Sequence, residues 1–484
     1  MSKKVNYTDV IDYYEFSMSN VYYEPESREK YVYFDIFFRK NPFKGEYTVS
    51  GGLDEVIDYI KNFKLTRKNI KKLEEKGIND KKFLKYLKKL KFNGDIYAIP
   101  DGSVVFPNEP VITIKAKVIE AQLIETALLA CMNHGTLITT AARRLYEASN
   151  RTSISEFGTR RGAGLEVSPS TSKYAYIGGF SSTSNFKSYC EDDIPISGTM
   201  AHSLVQFYED EEIAFKKFAE KNPNNCVFLV DTYDVLESGI PNAIKVAKEY
   251  LVPNGIEFKG IRIDSGDIPE LTKQIRKMLD DAGFTNTKIC ISNGINEKRL
   301  NNYNERKAIY DNIGLGDNVA YPLDLVGLVD KLAAVEENGK IVPRIKVSED
   351  AIKTTNPGYK KVYRFYDKET GKALGDVITL ADEIIPDNKY TLVKCSDNSK
   401  MTITNYNVKE LQSTIFKDGK QVYDRVSPKE SRTYCEKEID TIPSEVIRSI
   451  NPCQYNVGLS EQLYELKNDM INQKTKKRVR RLGD

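Results

Sequence analysis

One short segment combines small residues, hydroxyls and a histidine in a way that suits phosphate chemistry. Residues 197–203 read Ser-Gly-Thr-Met-Ala-His-Ser and follow a strand-like Ile-Pro-Ile. Small residues let backbone N–H groups approach a ligand closely, and the hydroxyls of Ser197 and Thr199 add donors. A neutral imidazole such as His202 can act as a base or as a nucleophile towards phosphoryl groups. A lone histidine is more often structural, but its place among anion-binding residues favours a catalytic role for His202.

Two adjacent guanidinium groups form a second motif. Arg160 and Arg161 end the sequence Glu-Phe-Gly-Thr-Arg-Arg at residues 156–161. Arginine recognises carboxylate and phosphate through paired, planar hydrogen bonds, which suits a small polyanion. On an ordinary protein surface, two adjacent arginines would not indicate a binding site. Because this pair follows an apolar strand at the expected active face, we predict a binding role.

Four aspartates follow predicted strands, namely Asp231, Asp234, Asp264 and Asp267. Their carboxylates would bind ribose hydroxyls or hold Mg²⁺, directly or through water. Helix capping is the alternative for Asp264 and Asp267. The chain has two histidines, so a multi-histidine metal site is nearly excluded, and the sequence identifies no set of metal ligands.

Two glycine-containing turns come later in the chain, Asn293-Gly294 and Gly314-Leu315-Gly316. Glycine lets the backbone approach a ligand, and the late loops of a β/α barrel commonly bind a terminal phosphate. We therefore expect Asn293, Gly294, Gly314 and Gly316 to contact substrate. A single Gly-x-Gly is weak evidence for a phosphate site. Its position in a repeat of strands, polar motifs and helices strengthens that evidence.

The elements around these motifs repeat one pattern, in which an apolar strand ends in a polar motif and a helix follows. Strands are predicted at 227–230, Gly260–Ile263 and Lys288–Ile291, and helices at 241–250 and 269–282. The repeat indicates parallel strands with crossover helices. Polar motifs at the carboxyl end of each strand are typical of the active face of a β/α barrel. Polar loops occur in any fold, but four such motifs in succession favour the barrel.

The barrel is predicted to occupy residues 149–335. Residues 1–148 mix aromatic strands, a lysine-rich helical stretch and a long apolar helix, which predicts an α+β domain. Residues 336–484 carry charged turns and short strands. They either complete the first domain or form a small third one.

Composition excludes several classes of protein. The chain has 484 residues, a net charge of +3, 40% hydrophobic and 29% charged residues, which is typical of a globular enzyme with two or three domains. The balanced charge predicts no nucleic-acid partner, and no apolar run approaches the roughly 20 residues of a membrane span. Seven scattered cysteines indicate reduced thiols and a cytoplasmic protein. The basic stretch at 476–481 is expected to be a solvated terminus.

Ordered motifs along nearly the whole chain resemble those of nicotinate phosphoribosyltransferase, a type II phosphoribosyltransferase. So many matches in sequence order are highly specific. They lie at residues 12–18, 37–43, 106–110, 120–126, 156–161, 177–185, 197–203, 262–267 and 353–364.

The resemblance implies an α/β fold, with a discontinuous N-terminal α+β open-sandwich domain, an irregular β/α barrel and a small C-terminal region. It implies a homodimer whose two subunits share each active site. The implied reaction transfers phosphoribose from phosphoribosyl pyrophosphate to nicotinate, giving nicotinate mononucleotide and pyrophosphate for NAD salvage. Mg²⁺ is the implied cofactor and ATP the implied co-substrate.

The resemblance also implies roles for individual residues. The pyridine ring would lie between Phe157 and Tyr14, with Tyr14 supplied by the partner subunit. Thr199 and Arg262 match positions that contact nicotinate, and Arg160 matches a phosphate contact.

His202 matches the histidine that ATP phosphorylates in this family. A carboxylate such as Asp264 would orient the ribose diol, on which positive charge develops as the anomeric C–O bond breaks. One departure from the family is Asp317, because members often carry threonine there as a contact to phosphoribosyl pyrophosphate. A carboxylate beside a phosphate is unfavourable unless a metal or an arginine intervenes.

Three alternatives differ in class. A nicotinamide or quinolinate phosphoribosyltransferase shares the fold, but a nicotinamide enzyme should offer an acid near Thr199, where Met200 stands instead. A phosphosugar-binding barrel of other activity would need a Schiff-base lysine or a glutamate base on a strand, and the sequence offers no convincing candidate. A catalytically silent binding protein is not supported, because His202 and the arginines are present.

Overall fold

The computed structural model describes residues 7–483, except the side chains of residues 351 and 476–483. The basic stretch predicted to be a solvated terminus therefore lies outside the described side chains. The chain packs as two compact units. Unit 1 comprises the described residues up to Leu137, Asp324–Val426 and the chain from Tyr434 onward, and unit 2 comprises Ile138–Leu323 and Ser427–Thr433. These units reflect how the chain packs and do not test the predicted domain ranges, which stay a prediction.

The lysine-rich stretch near the start of unit 1 forms three short helices, because side chains cap a new helix within it. The Thr66 hydroxyl accepts from the Asn69 backbone N–H, and the Asp80 carboxylate accepts from the N–H groups of Lys82 and Phe83. The elements of this first segment are α1 (Tyr13–Tyr22), β1 (Tyr31–Phe37), β2 (Thr48–Val49), α2 (Leu53–Asn62), α3 (Arg67–Glu75), α4 (Lys81–Leu87), β3 (Asp95–Ala98), β4 (Val104–Val105), β5 (Ile112–Lys117), α5 (Val118–Gln122) and α6 (Glu125–Ala148), which continues into unit 2 from Ile138.

Unit 2 alternates strands and helices, as the sequence predicts. Its elements are β6 (Ser153–Glu156), α7 (Ser168–Ile177), β7 (Ser182–Thr183), α8 (Phe186–Asp192), α9 (His202–Tyr208), α10 (Glu211–Lys221), β8 (Val227–Leu229), α11 (Ile240–Val246), β9 (Gly260–Ile263), α12 (Ile268–Asp281), β10 (Lys288–Ile291), α13 (Glu297–Glu305), β11 (Asn312–Leu315) and α14 (Asp317–Ala320).

All six strands of unit 2 run parallel, in the order β7-β6-β11-β10-β9-β8. The two outer strands, β7 and β8, are not paired with each other in the described chain, so the sheet is an open, irregular barrel. One face of the sheet is fully buried and carries Ile261, Ile263, Ile289 and Ile291. Because the strands are parallel, their carboxyl ends lie at one edge, where the predicted motifs follow β6, β8, β9, β10 and β11.

The chain then returns to unit 1, mainly as strands. These elements are β12 (Val329–Glu337), β13 (Lys340–Pro343), β14 (Lys360–Asp367), β15 (Ala373–Leu380), β16 (Lys389–Lys394), β17 (Lys400–Thr404), β18 (Tyr406–Glu410), β19 (Ser413–Lys417), β20 (Lys420–Gln421), α15 (Pro428–Thr441), α16 (Ser444–Ile447), β21 (Val457–Ser460) and α17 (Glu461–Gly483).

Unit 1 is discontinuous because strands from both parts of the chain share one sheet. The antiparallel sheet has the order β13-β12-β1-β5-β3-β19-β20, in which β12 pairs with β1 and β19 with β3. It shares a hydrophobic core with α2, α3 and α4 through Val56, Leu73 and Phe83. A second sheet of order β17-β16-β21-β15-β14-β18 comes entirely from the returning segment. No described helix is long and apolar enough to cross a membrane.

Candidate active site

Arg262 lies at the carboxyl edge of the unit 2 sheet, and three side chains fix its guanidinium group. In β9 it alternates with the buried Ile261 and Ile263, so its side chain leaves the opposite face of the strand. Its Nε donates to Ser292 Oγ at 3.0 Å and its Nη1 to Thr199 Oγ1 at 3.3 Å. Its Nη2 lies 3.4 Å from Asp264 Oδ1.

The ring of Phe157 lies beside this guanidinium group, with the Arg262 Cζ 5.5 Å from the ring centroid. Phe157 directly follows β6, and its backbone N–H donates to Leu315 O at 2.7 Å. Gly314 lies within β11, where a Cβ atom would stand 2.5 Å from the Phe157 ring. Glycine at 314 therefore makes room for the ring, and a phosphate contact by Gly314 stays a prediction.

Glu156 is a positioning residue that sequence reasoning did not identify. Its carboxylate is buried at the end of β6, where Oε1 accepts from the Gly158 N–H and Oε2 accepts from Ser172 Oγ at 2.9 Å and Thr183 Oγ1 at 2.6 Å. These bonds hold the turn that carries Phe157. A glutamate at the end of a predicted strand was the available signal, since a buried carboxylate requires such partners.

His202 begins α9 and faces two carboxylates. Its Nδ1 lies 3.1 Å from Thr232 Oγ1, and its Nε2 lies 3.9 Å from Asp231 Oδ1 and 4.0 Å from Asp264 Oδ2. The side chain of His202 is 39% exposed. The imidazole is therefore anchored through Nδ1, while Nε2 is available to a ligand.

Asp231 has a side chain only 1% exposed. Its Oδ2 accepts from the Asp264 backbone N–H at 2.8 Å and from Ser265 Oγ at 2.6 Å. Its Oδ1 is buried and has no hydrogen-bond partner within the described chain. Such an atom is costly to leave unsatisfied, and it points to a ligand on the His202 side.

The four predicted aspartates have separate roles. Asp231 and Asp264 converge on His202. Asp234 caps the next helical turn by accepting from the N–H groups of Leu236 and Glu237. Of the two residues for which capping was the alternative, Asp267 stands at the N-cap position of α12. Asp267 makes no capping bond with its side chain.

Asp267 instead pairs with Arg306 at 2.9 Å, and this arginine lowers the pKa of the Asp267 carboxyl. A cavity of about 290 Å³ lies between the loops that follow β9 and β10 and helix α13. Ser265, Ser292 and Asn293 line it. Across the described residues, no three Asp, Glu, His or Cys side chains are arranged to hold a metal ion.

The two predicted glycine turns follow β10 and β11. Asn293 and Gly294 both adopt positive φ, of 83° and 57°, and Arg299 Nη1 donates to Asn293 O at 2.8 Å. A Cβ at Gly316 would lie 3.2 Å from Phe157 O, so this turn packs on the Phe157 segment.

The arginine pair lies on a short helical turn, Thr159–Arg161, with both side chains exposed. Arg161 Nε lies 3.0 Å from Asp317 Oδ1. An arginine therefore neutralises the carboxylate that departs from the family pattern. A phosphate contact by Arg160 stays a prediction. Ser197 is held by its N–H, which donates to Thr183 O at 2.9 Å.

Tyr14 belongs to unit 1, where it lies on α1 with its side chain half-exposed. Burial raises the pKa of the Tyr14 hydroxyl, and the charge of the nearby Glu125 carboxylate raises it further. The structure therefore brings together Phe157, Thr199, His202, Arg262 and Asp264 in one unit. It describes Tyr14 in the other.

Comparison with known proteins follows the same division of the chain. Models of the nicotinate phosphoribosyltransferase N-terminal domain, family and C-terminal domain match residues 10–133, 152–316 and 359–467. The nicotinate phosphoribosyltransferase of Bacillus subtilis is 40% identical over 466 residues, which cover 96% of this chain and 94% of the relative. This chain belongs to the nicotinate phosphoribosyltransferase family.

More distant members align over most of the chain as well. The nicotinate phosphoribosyltransferase of Dictyostelium discoideum is 33% identical over 94% of this chain and 86% of its own length. The crystal structure of human nicotinic acid phosphoribosyltransferase superposes with a TM-score of 0.83 and 26% identity, covering 95% of this chain and 99% of that one. A nicotinate-nucleotide pyrophosphorylase from Pyrococcus furiosus shares the fold, with a TM-score of 0.69. The predicted fold class is confirmed.

Proposed function

We propose that this chain transfers phosphoribose from phosphoribosyl pyrophosphate to nicotinate, giving nicotinate mononucleotide and pyrophosphate in NAD salvage. The observation that carries the proposal is the fixed guanidinium group of Arg262 beside the Phe157 ring. A planar cation next to an aromatic face suits a ligand that is itself an aromatic ring bearing a carboxylate.

The base-binding groups favour nicotinate over nicotinamide. Arg262 would pair with the carboxylate while the Thr199 hydroxyl, 3.3 Å from its Nη1, adds a further donor. Met200 is buried and offers no acceptor for an amide, and Asp264 is already bonded to Arg262 and Ser292. Phe157 would stack on one face of the pyridine ring, and Tyr14 from the second subunit of a homodimer on the other.

The phosphoribosyl group would lie over the two converging aspartates. Asp264 Oδ2 would accept from the ribose diol and favour the positive charge that develops at C1′ as the bond to pyrophosphate breaks. Arg160 and the turns at Asn293-Gly294 and Gly316 would hold the phosphates. The unpartnered Asp231 Oδ1 and the nearby Asp264 Oδ2 suit Mg²⁺, which takes one or two carboxylates, water and phosphate oxygens. When bound, the ion would neutralise the leaving pyrophosphate.

His202 would couple the reaction to ATP through phosphorylation at Nε2. The bond from Nδ1 to Thr232 fixes the ring and leaves the Nε2 lone pair to attack the γ-phosphorus, while the P–O bond to ADP breaks and ADP leaves. The new phosphoryl group would lie close to Asp231 and Asp264, and their like charges would change substrate affinity until water hydrolyses the P–N bond. We place the enzyme in the cytoplasm because its seven cysteines are scattered along the sequence, as in proteins that keep reduced thiols.

The test is pyrophosphate release from phosphoribosyl pyrophosphate and Mg²⁺ with nicotinate, nicotinamide or quinolinate, each with and without ATP. We expect release with nicotinate alone, increased by ATP. His202→Ala should abolish nicotinate-dependent ATP hydrolysis and leave some ATP-independent transfer, whereas His134→Gln, which changes the other histidine of the chain, should keep both. Equal ATP hydrolysis in His202→Ala and wild type would refute the phosphohistidine. Release with another base would refute the choice of nicotinate.

A further inference from the structure

One threonine joins the start of α1 to the start of α6 in unit 1. Glu15 on α1 is 0% exposed, and its Oε1 accepts from the Thr126 N–H at 3.1 Å and from the Thr126 hydroxyl. The same hydroxyl oxygen accepts from the Asp12 N–H at 3.3 Å. Glu15 therefore fixes the helix that carries Tyr14.

The second oxygen of Glu15 lies in an acidic environment. Its Oε2 is buried and has no hydrogen-bond partner among the described residues. Asp330 on β12 is likewise buried, at 3% exposure, and neither of its oxygens is hydrogen-bonded within the same described part. The groups that interact electrostatically with Glu15 include five acidic side chains, namely Asp12, Tyr14, Tyr59, Glu125 and Asp330.

Other nearby charges are already engaged. Glu120 on the adjacent α5 accepts from the Asn93 N–H at 2.7 Å, and Lys331 acts on Asp330. Glu125 accepts from Gln122 Nε2 at 2.8 Å, and its charge acts on the Tyr14 hydroxyl. A negative charge on Glu15 would keep its two bonds from Thr126 but would lie close to the Glu125 carboxylate, which is unfavourable in a buried position.

We propose that Glu15 is a positioning residue that seats the helix carrying Tyr14 in its neutral form, so that loss of its proton loosens this helix and weakens nicotinate binding. The proposal rests on the proposed function, in which Tyr14 stacks on the pyridine ring. Glu15 itself touches no substrate and acts through Thr126 and Tyr14.

The direction of the pH dependence follows from the same surroundings. Burial raises the pKa of Glu15 to about 7, from an ordinary value of 4.5 in the unfolded chain. A carboxyl whose pKa is raised in the folded protein stabilises the seated helix. The full contribution is present when the pH is below the pKa of the unfolded state, and it is lost as the pH rises through the pKa of the folded state. Between pH 6 and pH 8, the seating equilibrium changes by at most about tenfold.

The experiment compares wild type with Glu15→Gln, a neutral isostere, and with Glu29→Gln, which removes an exposed carboxylate on the same unit. Two readouts are taken from pH 6 to pH 8.5. One is the nicotinate KM with kcat, and the other is the amide hydrogen exchange of residues 13–22 relative to intrinsic rates. In wild type and Glu29→Gln, we expect KM and exchange to rise together with pH. In Glu15→Gln, both should stay at their low-pH values.

Each other outcome overturns a defined part of the inference. The same pH dependence of exchange in wild type and Glu15→Gln would overturn the role of Glu15. Exchange that follows Glu15 while KM does not would uphold the seating and refute the stacking of Tyr14 on nicotinate.

A second variant keeps the inference testable should Glu15→Gln not fold. Thr126→Val removes the hydroxyl that donates to the Glu15 carboxylate and lowers its pKa. The midpoint of the exchange profile should therefore move to higher pH, a shift that general destabilisation of the helix would not produce. An unchanged midpoint would overturn the inference.

Discussion

Replacing Arg262 by alanine should selectively remove affinity for the carboxylate of nicotinate. The guanidinium group is only 16% exposed, and Ser292, Thr199 and Asp264 orient it, so solvent screens it little. A charge-assisted hydrogen bond to such a group contributes about 1.5–3 kcal/mol. Its loss also leaves Asp264 without its cation, which places the defect in the upper part of that range. About 2–3 kcal/mol corresponds to about a 30- to 160-fold lower kcat/KM for nicotinate.

The assay is steady-state pyrophosphate release at saturating phosphoribosyl pyrophosphate. Arg262→Lys keeps the charge but loses the planar fork, so it should fall between wild type and Arg262→Ala. Lys288→Gln removes a cation at the opposite, amino end of the neighbouring strand β10 and should leave kcat/KM unchanged. Activity with nicotinamide, which has no carboxylate, should not fall as steeply in Arg262→Ala. An unchanged kcat/KM for nicotinate in a folded Arg262→Ala protein would refute the assignment.

Two further predictions concern ion pairs in different surroundings. Arg161→Gln should raise the KM for phosphoribosyl pyrophosphate by up to about fivefold, because it frees the exposed Asp317 carboxylate. The double variant Arg161→Gln, Asp317→Asn should recover the wild-type KM, and equal KM values in the single and double variants would contradict this. Arg364→Met should lower the free energy of unfolding by about 3–5 kcal/mol, because the fully buried guanidinium group pairs with Asp376 at 2.6 Å and with Glu438 at 3.2 Å. A urea midpoint equal to that of wild type would refute this prediction.

Local rules predicted the parallel strands of unit 2 closely. The predicted limits of β9 and β10 agree with the structure, and α12 begins one residue before the predicted start at Pro269. An apolar run, a polar motif and a proline at the first helical turn are all local signals. The same rules failed between α5 and α6, where the predicted continuous helix breaks at Leu123 and Ile124 without a glycine or a proline.

Side-chain partnerships across the site could not be predicted in this way. Asp231 and Asp264 share one environment with His202, while Asp234 caps a helical turn, although all four aspartates stand in similar local sequences. Arg160 and Arg161 were predicted to bind a small polyanion as a pair, and the sequence did not reveal that Arg161 pairs with Asp317, 156 positions further along the chain. Glu156 was missed because two of its three donors, Ser172 and Thr183, come from separate segments.

The sequence by itself determined the family, the alternating elements of unit 2 and the residue types that the chemistry needs, because each of these is written in short, local patterns. The tertiary structure decided which charges meet. Parallel strands bring loops that are distant in sequence to one sheet edge. Burial then decides which carboxylates are hydrogen-bonded and which are paired with arginine. It also leaves some, such as Asp231 and Glu15, with one oxygen that has no hydrogen-bond partner in the described chain. Burial and pairing depend on the distances between those loops, and these distances cannot be inferred from local sequence.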